Sequence, residues 1–272
     1  MHGDDLQRVD RDCPGCGATN AGAPALPASP AAWPLKTCSS CGFTYLARVP
    51  QQEAFSEDFA WDKTFAEEEE RRMASRGALK RSARRLRSIL LPFRPDVDHF
   101  LRANACDGRV LDIGVSNGKF LLRLVDRFVP FGIEISKDAA SQTHARFQPF
   151  GGAVVHAPAL QGLATFEERF FTGALLRSYL EHEYQPGPVL AALHRVLEPG
   201  GVAIIKVPNY GSLNRRVFGA TWCGYRFPDH VNYFTASSLR RMLSEHGFAA
   251  RFVWHKSLPS SDNMTCVARR VD

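Results

Sequence analysis

Beyond the first hundred residues, apolar residues gather in short continuous runs and in longer stretches of helical spacing. Val110-Leu111-Asp112-Ile113 is a buried strand interrupted by one acidic residue, and it breaks at Gly114 into the polar bend Val115-Ser116-Asn117-Gly118. Apolar residues resume at Phe120, which predicts a helix beginning near Lys119. Phe131-Gly132-Ile133-Glu134-Ile135 reads as the next strand, Phe170–Leu176 as another, and Val202–Val207 as a third that ends at Pro208-Asn209. Val189 to Leu197 has the spacing of a helix packed on a sheet, halted by Glu198-Pro199-Gly200-Gly201. A further helix is predicted from Ser237 to His246, ending at Gly247.

The first hundred residues follow a different pattern. Ala18 to Pro34 is rich in Ala, Pro and Gly without charge, which predicts an extended loop. From about Gln51 to Arg102 the chain is polarised: Glu67 to Glu70 precede eight basic residues between Arg71 and Arg87, while Leu79, Ala83, Leu86 and Leu90 recur at helical spacing. That stretch is expected to be a basic helix with one apolar face, ended by Pro92 and Pro95.

At 272 residues, 44% hydrophobic and 23% charged, the chain suits one globular domain with a small appendage. No apolar run reaches bilayer length, and Met1 to Asp12 lacks the apolar core of a secretory signal. The expectation is a cytoplasmic protein without membrane partners, its seven cysteines reduced.

Four of those cysteines form two C-x-x-C pairs, Cys13/Cys16 and Cys38/Cys41, 21 residues apart and each followed by a glycine, Gly17 and Gly42. Two thiolates three residues apart bite one ion, and two such knuckles complete a closed tetrahedral shell. A structural zinc ribbon is expected, and its metal would contribute to the folding free energy of so small a unit.

The bend after Ile113 is a cradle for a nucleotide-type ligand: glycines let the main chain pass close to a ligand, and helix-initiating amides favour an anionic group. A dinucleotide fingerprint would need glycines at the third and sixth positions, but Ser116 and Lys119 stand there. The segment instead resembles motif I of the class I S-adenosylmethionine-dependent methyltransferases, matched by Asp112, Gly114 and Gly118, with Ser116 where the middle glycine usually lies. Glu134, at the end of the following strand, resembles the family's ribose-binding acid, a role that suits a carboxylate able to accept from two vicinal hydroxyls. Val154-Val155-His156-Ala157-Pro158, the counterpart of the third strand, offers no side chain for the adenine, leaving main-chain groups near Ala157 and Leu160.

The resemblance covers residues 106 to 270 and is to the subgroup acting mostly on small metabolites. It implies an α/β Rossmann-like seven-stranded sheet with the last strand antiparallel, preceded by a zinc ribbon (1–50) and a basic helical linker or lid (51–105), with residues 106–272 as the methyltransferase domain. The donor S-adenosylmethionine would be held by Asp112, Gly114, Ser116, Gly118, Glu134, Ile135, Ala157 and Tyr179. The acceptor would meet the donor above the carboxyl ends of the strands. The 27-residue connection from Asn209 to Thr235 is long for a turn and supplies Asn209, Tyr210, Trp222, Tyr225, Arg226 and Tyr233 as candidate acceptor contacts.

Methyl transfer to a hydroxyl needs a base, and His182 and His230 are candidates because an unperturbed imidazole is largely neutral at cytoplasmic pH; Glu181 is the third, as base or as orienter of a histidine. The expected acceptor is a small molecule, a hydroxyl of a sugar-containing or secondary metabolite. Two other readings stand beside it: an RNA methyltransferase that binds nucleic acid through the basic helix and the ribbon, consistent with a net charge of +6, and a binding module that keeps the fold without turnover. Oligomeric state is not legible.

Overall fold

The computed structural model describes residues 7–51, 97–253, 257 and 260–272. The basic stretch expected to be helical between Arg71 and Leu90 lies outside them. The first strands are short: β1 (Arg8–Asp10), β2 (Leu35–Thr37), β3 (Thr44–Leu46) and β4 (Arg48–Pro50). Helix α1 (Val97–Asn104) leads into β5 (Gly108–Ile113), β6 (Phe128–Glu134), α2 (Lys137–Phe147), β7 (Ala153–His156), α3 (Ala159–Ala164) and β8 (Phe171–Arg177). Then follow α4 (Pro186–Val196), β9 (Leu197–Pro208), α5 (Leu213–Phe218), β10 (Asn232–Tyr233), α6 (Ala236–Glu245), β11 (Phe248–Phe252) and β12 (Asn263–Arg270).

Seven strands form one sheet in the order β11-β12-β9-β8-β5-β6-β7. Strands β5 to β9 are mutually parallel, and β12 runs antiparallel to both β9 and β11. The expected α/β sheet with its last strand reversed is therefore the observed one. The continuous apolar runs have a direct cause, because both faces of the sheet are covered. Ala203, Ile205 and Val207 of β9 pack with Leu163, Leu190 and Leu239 on one face, whereas Val202 and Ile204 pack with Phe100, Leu101 and Phe147 on the other. Successive residues of one strand thus enter two separate cores.

Three helices differ in extent from the sequence expectation. The helix expected near Lys119 is a single 3-10 turn at Leu121–Arg123. Only four residues separate Arg123 from β6, and Leu121 and Leu124 are already buried, so there is no length for a full helix. The helix predicted from Val189 starts earlier, at Pro186, where a proline in the first turn gives up no hydrogen bond. It stops at Val196, and the chain is extended from Leu197, with a register shift opposite Phe171 and Gly173 absorbing the Pro-Gly-Gly segment. The helix predicted from Ser237 begins at Ala236, under a capping box between Thr235 and Ser238.

The N-terminal unit does not stand apart from the rest. β1 pairs with β4, and the β2-β3 hairpin is extended by β10 from the far end of the chain, with Asn232 opposite Tyr45 and Tyr233 opposite Thr44. Phe43 and Tyr45 are fully buried in the same core as Phe234 and Leu239. Trp33, Leu35 and Leu46 share a second cluster with Tyr210, Trp222 and Tyr233.

Candidate functional site

The glycine bend sits at the carboxyl end of β5. Gly114 (φ 74°) and Gly118 (φ 69°) both occupy the left-handed region, and so does Ser116 (φ 47°). Ser116 therefore takes the conformation of a middle glycine at the strain an L-residue bears there. Gly118 is also sterically required, since a Cβ would lie 2.7 Å from both Phe147 and Thr143. A Cβ on Gly114 would lie 3.3 Å from the Tyr179 ring, so glycine keeps the floor of the cradle clear. The Tyr179 hydroxyl donates to the Glu183 carboxylate, fixing the ring there.

Glu134, at the carboxyl end of β6, closes the bend from the neighbouring strand. Its Oε2 accepts the Ser116 amide at 2.8 Å and its Oε1 the Ser136 amide at 3.0 Å. A carboxylate has room for about four donors, so one acceptor direction on each oxygen remains for a vicinal diol. Ile135, next along, is exposed at the rim, and the Ala157 amide is committed to the Glu134 carbonyl at 3.1 Å.

Asp112 lies beneath the bend, 1% exposed, with no hydrogen bond to either carboxylate oxygen. Arg177, at the end of β8, approaches Oδ2 to 3.7 Å while its guanidinium lies over the Phe120 ring at 3.3 Å. Burial pushes the Asp112 carboxyl up to about 7, with Arg177 partly opposing the rise. A buried acid without donors, beside a glycine floor and a carboxylate with acceptor directions to spare, fits the cationic amino-acid end of a nucleoside such as S-adenosylmethionine.

The segment after β8 carries the second constellation. Glu181, His182 and His230 each bring one ligand-type atom within 4.8 Å of the others. Nδ1 of His182 lies 2.9 Å from Asp229 Oδ1, and Arg226 reaches the other oxygen of Asp229 at 2.6 Å. Nδ1 of His230 pairs with the Gly224 carbonyl at 2.9 Å, and the two imidazoles meet edge to face at 4.9 Å. Burial alone would lower the His182 pKa, but Asp229 outweighs it and lifts the ring to about 9. His182 is thus an imidazolium at neutral pH, not the neutral base that an unperturbed pKa suggests. Burial and the His182 charge bring His230 down to about 3.

Glu181 differs from both histidines. It is 1% exposed, its Oε2 has no hydrogen-bond partner, and burial raises it to about 7 against the pull of His182. A free carboxylate oxygen poised near neutrality is suited to take up and return a proton. Asp229, Arg226 and Arg177 complete these two constellations. Asp229 and Arg177 were missed as site residues; an acid adjacent to His230, and an arginine ending a buried strand, were the available signals.

The long connection after β9 divides by role. Trp222 and Tyr233 are each 2% exposed and interlock with Tyr210 and Tyr225, ring centroids 5.3 to 6.2 Å apart. The Trp222 indole donates to Asp262 at 2.9 Å, and Oδ1 of Asn209 accepts the Gly211 amide at 3.1 Å. Of the six acceptor candidates, Tyr210 and Tyr225 line a cavity of about 370 Å³, together with Arg215, Arg216 and the loop residues Leu26 to Ala28. Arg226 faces Asp229, whereas Asn209, Trp222 and Tyr233 do not line that cavity.

At the other end, the four thiols converge. Cys13 and Cys41 Sγ are 3.5 Å apart and Cys16 and Cys38 Sγ are 3.6 Å apart, with all four atoms within 4.8 Å. Gly17 (φ 72°) and Gly42 (φ 70°) close the two knuckles, each amide donating to the first cysteine's carbonyl. Asn20 donates to Cys38 Sγ at 3.3 Å. This donor set and spacing fit a tetrahedral ion with soft ligands.

Comparison with known proteins shows the family and the fold. A stretch of 148 residues, 54% of the chain, is 26% identical to an uncharacterized protein of Methanocaldococcus jannaschii, of which it covers 68%. The fold is shared with a SAM-dependent methyltransferase from Archaeoglobus fulgidus, at 17% identity over 66% of this chain and 97% of that one, with a TM-score of 0.51. A SAM-dependent methyltransferase from Methanosarcina mazei matches at 16% identity, 63% and 97% coverage, and a TM-score of 0.50. Residues 78–251, well over half of the chain, match the model of a methyltransferase domain. The chain belongs to that methyltransferase domain family and is an S-adenosylmethionine-dependent methyltransferase.

Proposed function

We propose that the protein methylates a hydroxyl of a small-molecule acceptor, of the sugar-containing or secondary-metabolite class, and that its N-terminal cysteines hold a structural zinc ion. When bound, S-adenosylmethionine supplies an electrophilic methyl group on a sulfonium sulfur. The residues do the rest. Glu134 would accept the ribose hydroxyls, Asp112 would face the ammonium, and Arg177, beside it, would face the donor carboxylate. Tyr179 and Gly114 shape the floor that orients the donor.

The observation that carries the hydroxyl reading is Glu181, a buried carboxylate with a free Oε2 and a pKa of about 7 on the segment following β8. A neutral hydroxyl is a weak nucleophile toward the donor until its proton is taken, and Glu181 is the group on hand to take it. The adjacent His182 imidazolium, held by Asp229, stabilises the negative charge on Glu181 or on the acceptor oxygen. An open hollow of about 370 Å³, lined in part by Tyr210 and Tyr225 and not by Glu181 or the glycine bend, is of a size that small molecules occupy. The aromatic residues Phe43 and Tyr45 of the ribbon are buried in the main core and Trp33 is buried with Tyr210 and Trp222, which leaves all three unavailable for stacking on bases.

Isotope-labelled donor, incubated with the protein and a metabolite extract, tests the proposal. Label recovered on a low-mass oxygen ether, and reduced at least a hundredfold by Glu181→Gln, is the expected result. Label on RNA, or transfer unaffected by Glu181→Gln, would overturn it.

A further inference from the structure

β10 is only two residues long, too short to persist alone, and it owes its extended conformation to β3 of the ribbon. Just before it, the Leu46 amide donates to the Val231 carbonyl at 3.0 Å. On its other side, the same stretch grips the segment that carries Glu181 and His182. The amides of Val231 and Asn232 both donate to the Glu181 carbonyl, at 2.8 and 3.0 Å.

Asn232 is the centre of this arrangement and is 2% exposed. Its Nδ2 donates to the Leu180 carbonyl at 2.8 Å and to the Glu183 carbonyl at 2.6 Å. Its Oδ1 accepts from Arg11, at 3.1 Å, two residues before the first cysteine of the ribbon. The same guanidinium nitrogen donates to the Tyr184 carbonyl at 2.9 Å, and the guanidinium packs against the Tyr45 and Tyr184 rings. Both amide protons of Asn232 and its oxygen are therefore used, so no other side chain reproduces the set.

We propose that Asn232 and Arg11 are positioning residues that transmit the folded state of the cysteine ribbon to the Leu180–Glu183 turn, so that the ribbon sets the placement of Glu181 and His182. The ribbon is in this sense part of the proton-handling machinery, although none of its side chains need touch the acceptor. The assignment rests on Glu181 and His182 being that machinery. His182 faces Asp229, Glu181, His230 and Arg226, and a shift of its turn by a few tenths of an ångström alters its pairing with all four.

The test follows His182 directly and needs no acceptor. Full-length protein with labelled histidine is titrated by NMR as wild type, Asn232→Leu and Arg11→Met, with S-adenosylhomocysteine affinity measured on each sample. Expected is at least a tenfold fall in the proton affinity of His182 in both variants, with affinity for S-adenosylhomocysteine kept within twofold and partial recovery in Arg11→Lys. An unchanged His182 titration in both variants, or nucleoside affinity lost in step with it, would overturn the proposal. Should either variant fail to fold, stripping the ribbon's metal from wild type with a chelator provides the same readout, and a His182 titration indifferent to metal release would be equally fatal. Failure of wild type to bind S-adenosylhomocysteine would instead remove the donor-site reading and leave the positioning measurement standing.

Discussion

Glu134 and Ser116 are joined across two strands: the carboxylate that would hold the ribose also accepts the amide of the strained residue in the glycine bend, at 2.8 Å. The bond couples the shape of the cradle to the carboxylate proposed to hold the ligand's sugar. Glu134→Ala removes both functions at once. Donor and donor-product affinity should fall by about 10- to 100-fold by calorimetry, as expected for lost hydrogen bonds to a charged acceptor. Glu134→Gln, which lacks the charge, should fall between the two.

Ser116 offers a complementary test. Its φ of 47° favours glycine, so Ser116→Gly should leave donor binding intact and change stability by no more than about 1 kcal/mol, relief of strain being offset by a more flexible unfolded chain. Ser116→Val places a β-branched residue in the same conformation and should destabilise by about 1 to 3 kcal/mol. Denaturant titration of the two variants separates these outcomes.

Asp112 makes stability depend on pH in a specific sense. Its carboxyl is held at about 7 in the folded protein, above its ordinary value near 3.8, so its contribution to stability is full below that ordinary value and is lost as pH rises toward and through 7. Glu181 titrates in the same direction, also near 7, which means the comparison must be made by variant. Asp112→Asn should lessen the decline between about pH 4 and 7 by an amount on the order of a few kcal/mol. The same substitution should weaken binding of the donor, whose ammonium loses its counter-charge.

Removal of metal provides a fourth prediction. Chelation, or Cys38→Ser with Cys41→Ser, should release one equivalent of zinc and alter Trp fluorescence, because Trp33 and Trp222 share one buried cluster between the ribbon and the connection after β9. Zinc quantification alongside the emission spectrum checks it. A ribbon that unfolded by itself would leave Trp222 unchanged.

The sheet was legible because its strands are buried on both faces and so appear as unbroken apolar runs, as Val202 to Val207 illustrates. The glycine bend and its flanking acids were legible from Asp112, Gly114 and Glu134, since strand-end acids and glycines are fixed by local geometry. The state of His182 was not. It depends on Asp229, 47 positions away, and no local pattern gives the distance between two loops. The docking of the ribbon was hidden for a related reason: Tyr45 and Asn232 become partners only through a long-range pairing of two very short strands, whose sequences carry too few residues for a periodic signal.

The pairing of β3 with β10 also limits how the protein can be dissected. A fragment starting after Gln51 would leave Tyr233 and its neighbours without their cover, exposing both an unpaired strand edge and a patch of aromatic rings. Such a fragment is an aggregation hazard despite containing the entire seven-stranded sheet. A foldable unit should therefore include the β2-β3 hairpin, and domain-swapping experiments that cut near residue 50 would be exchanging half of a shared interior.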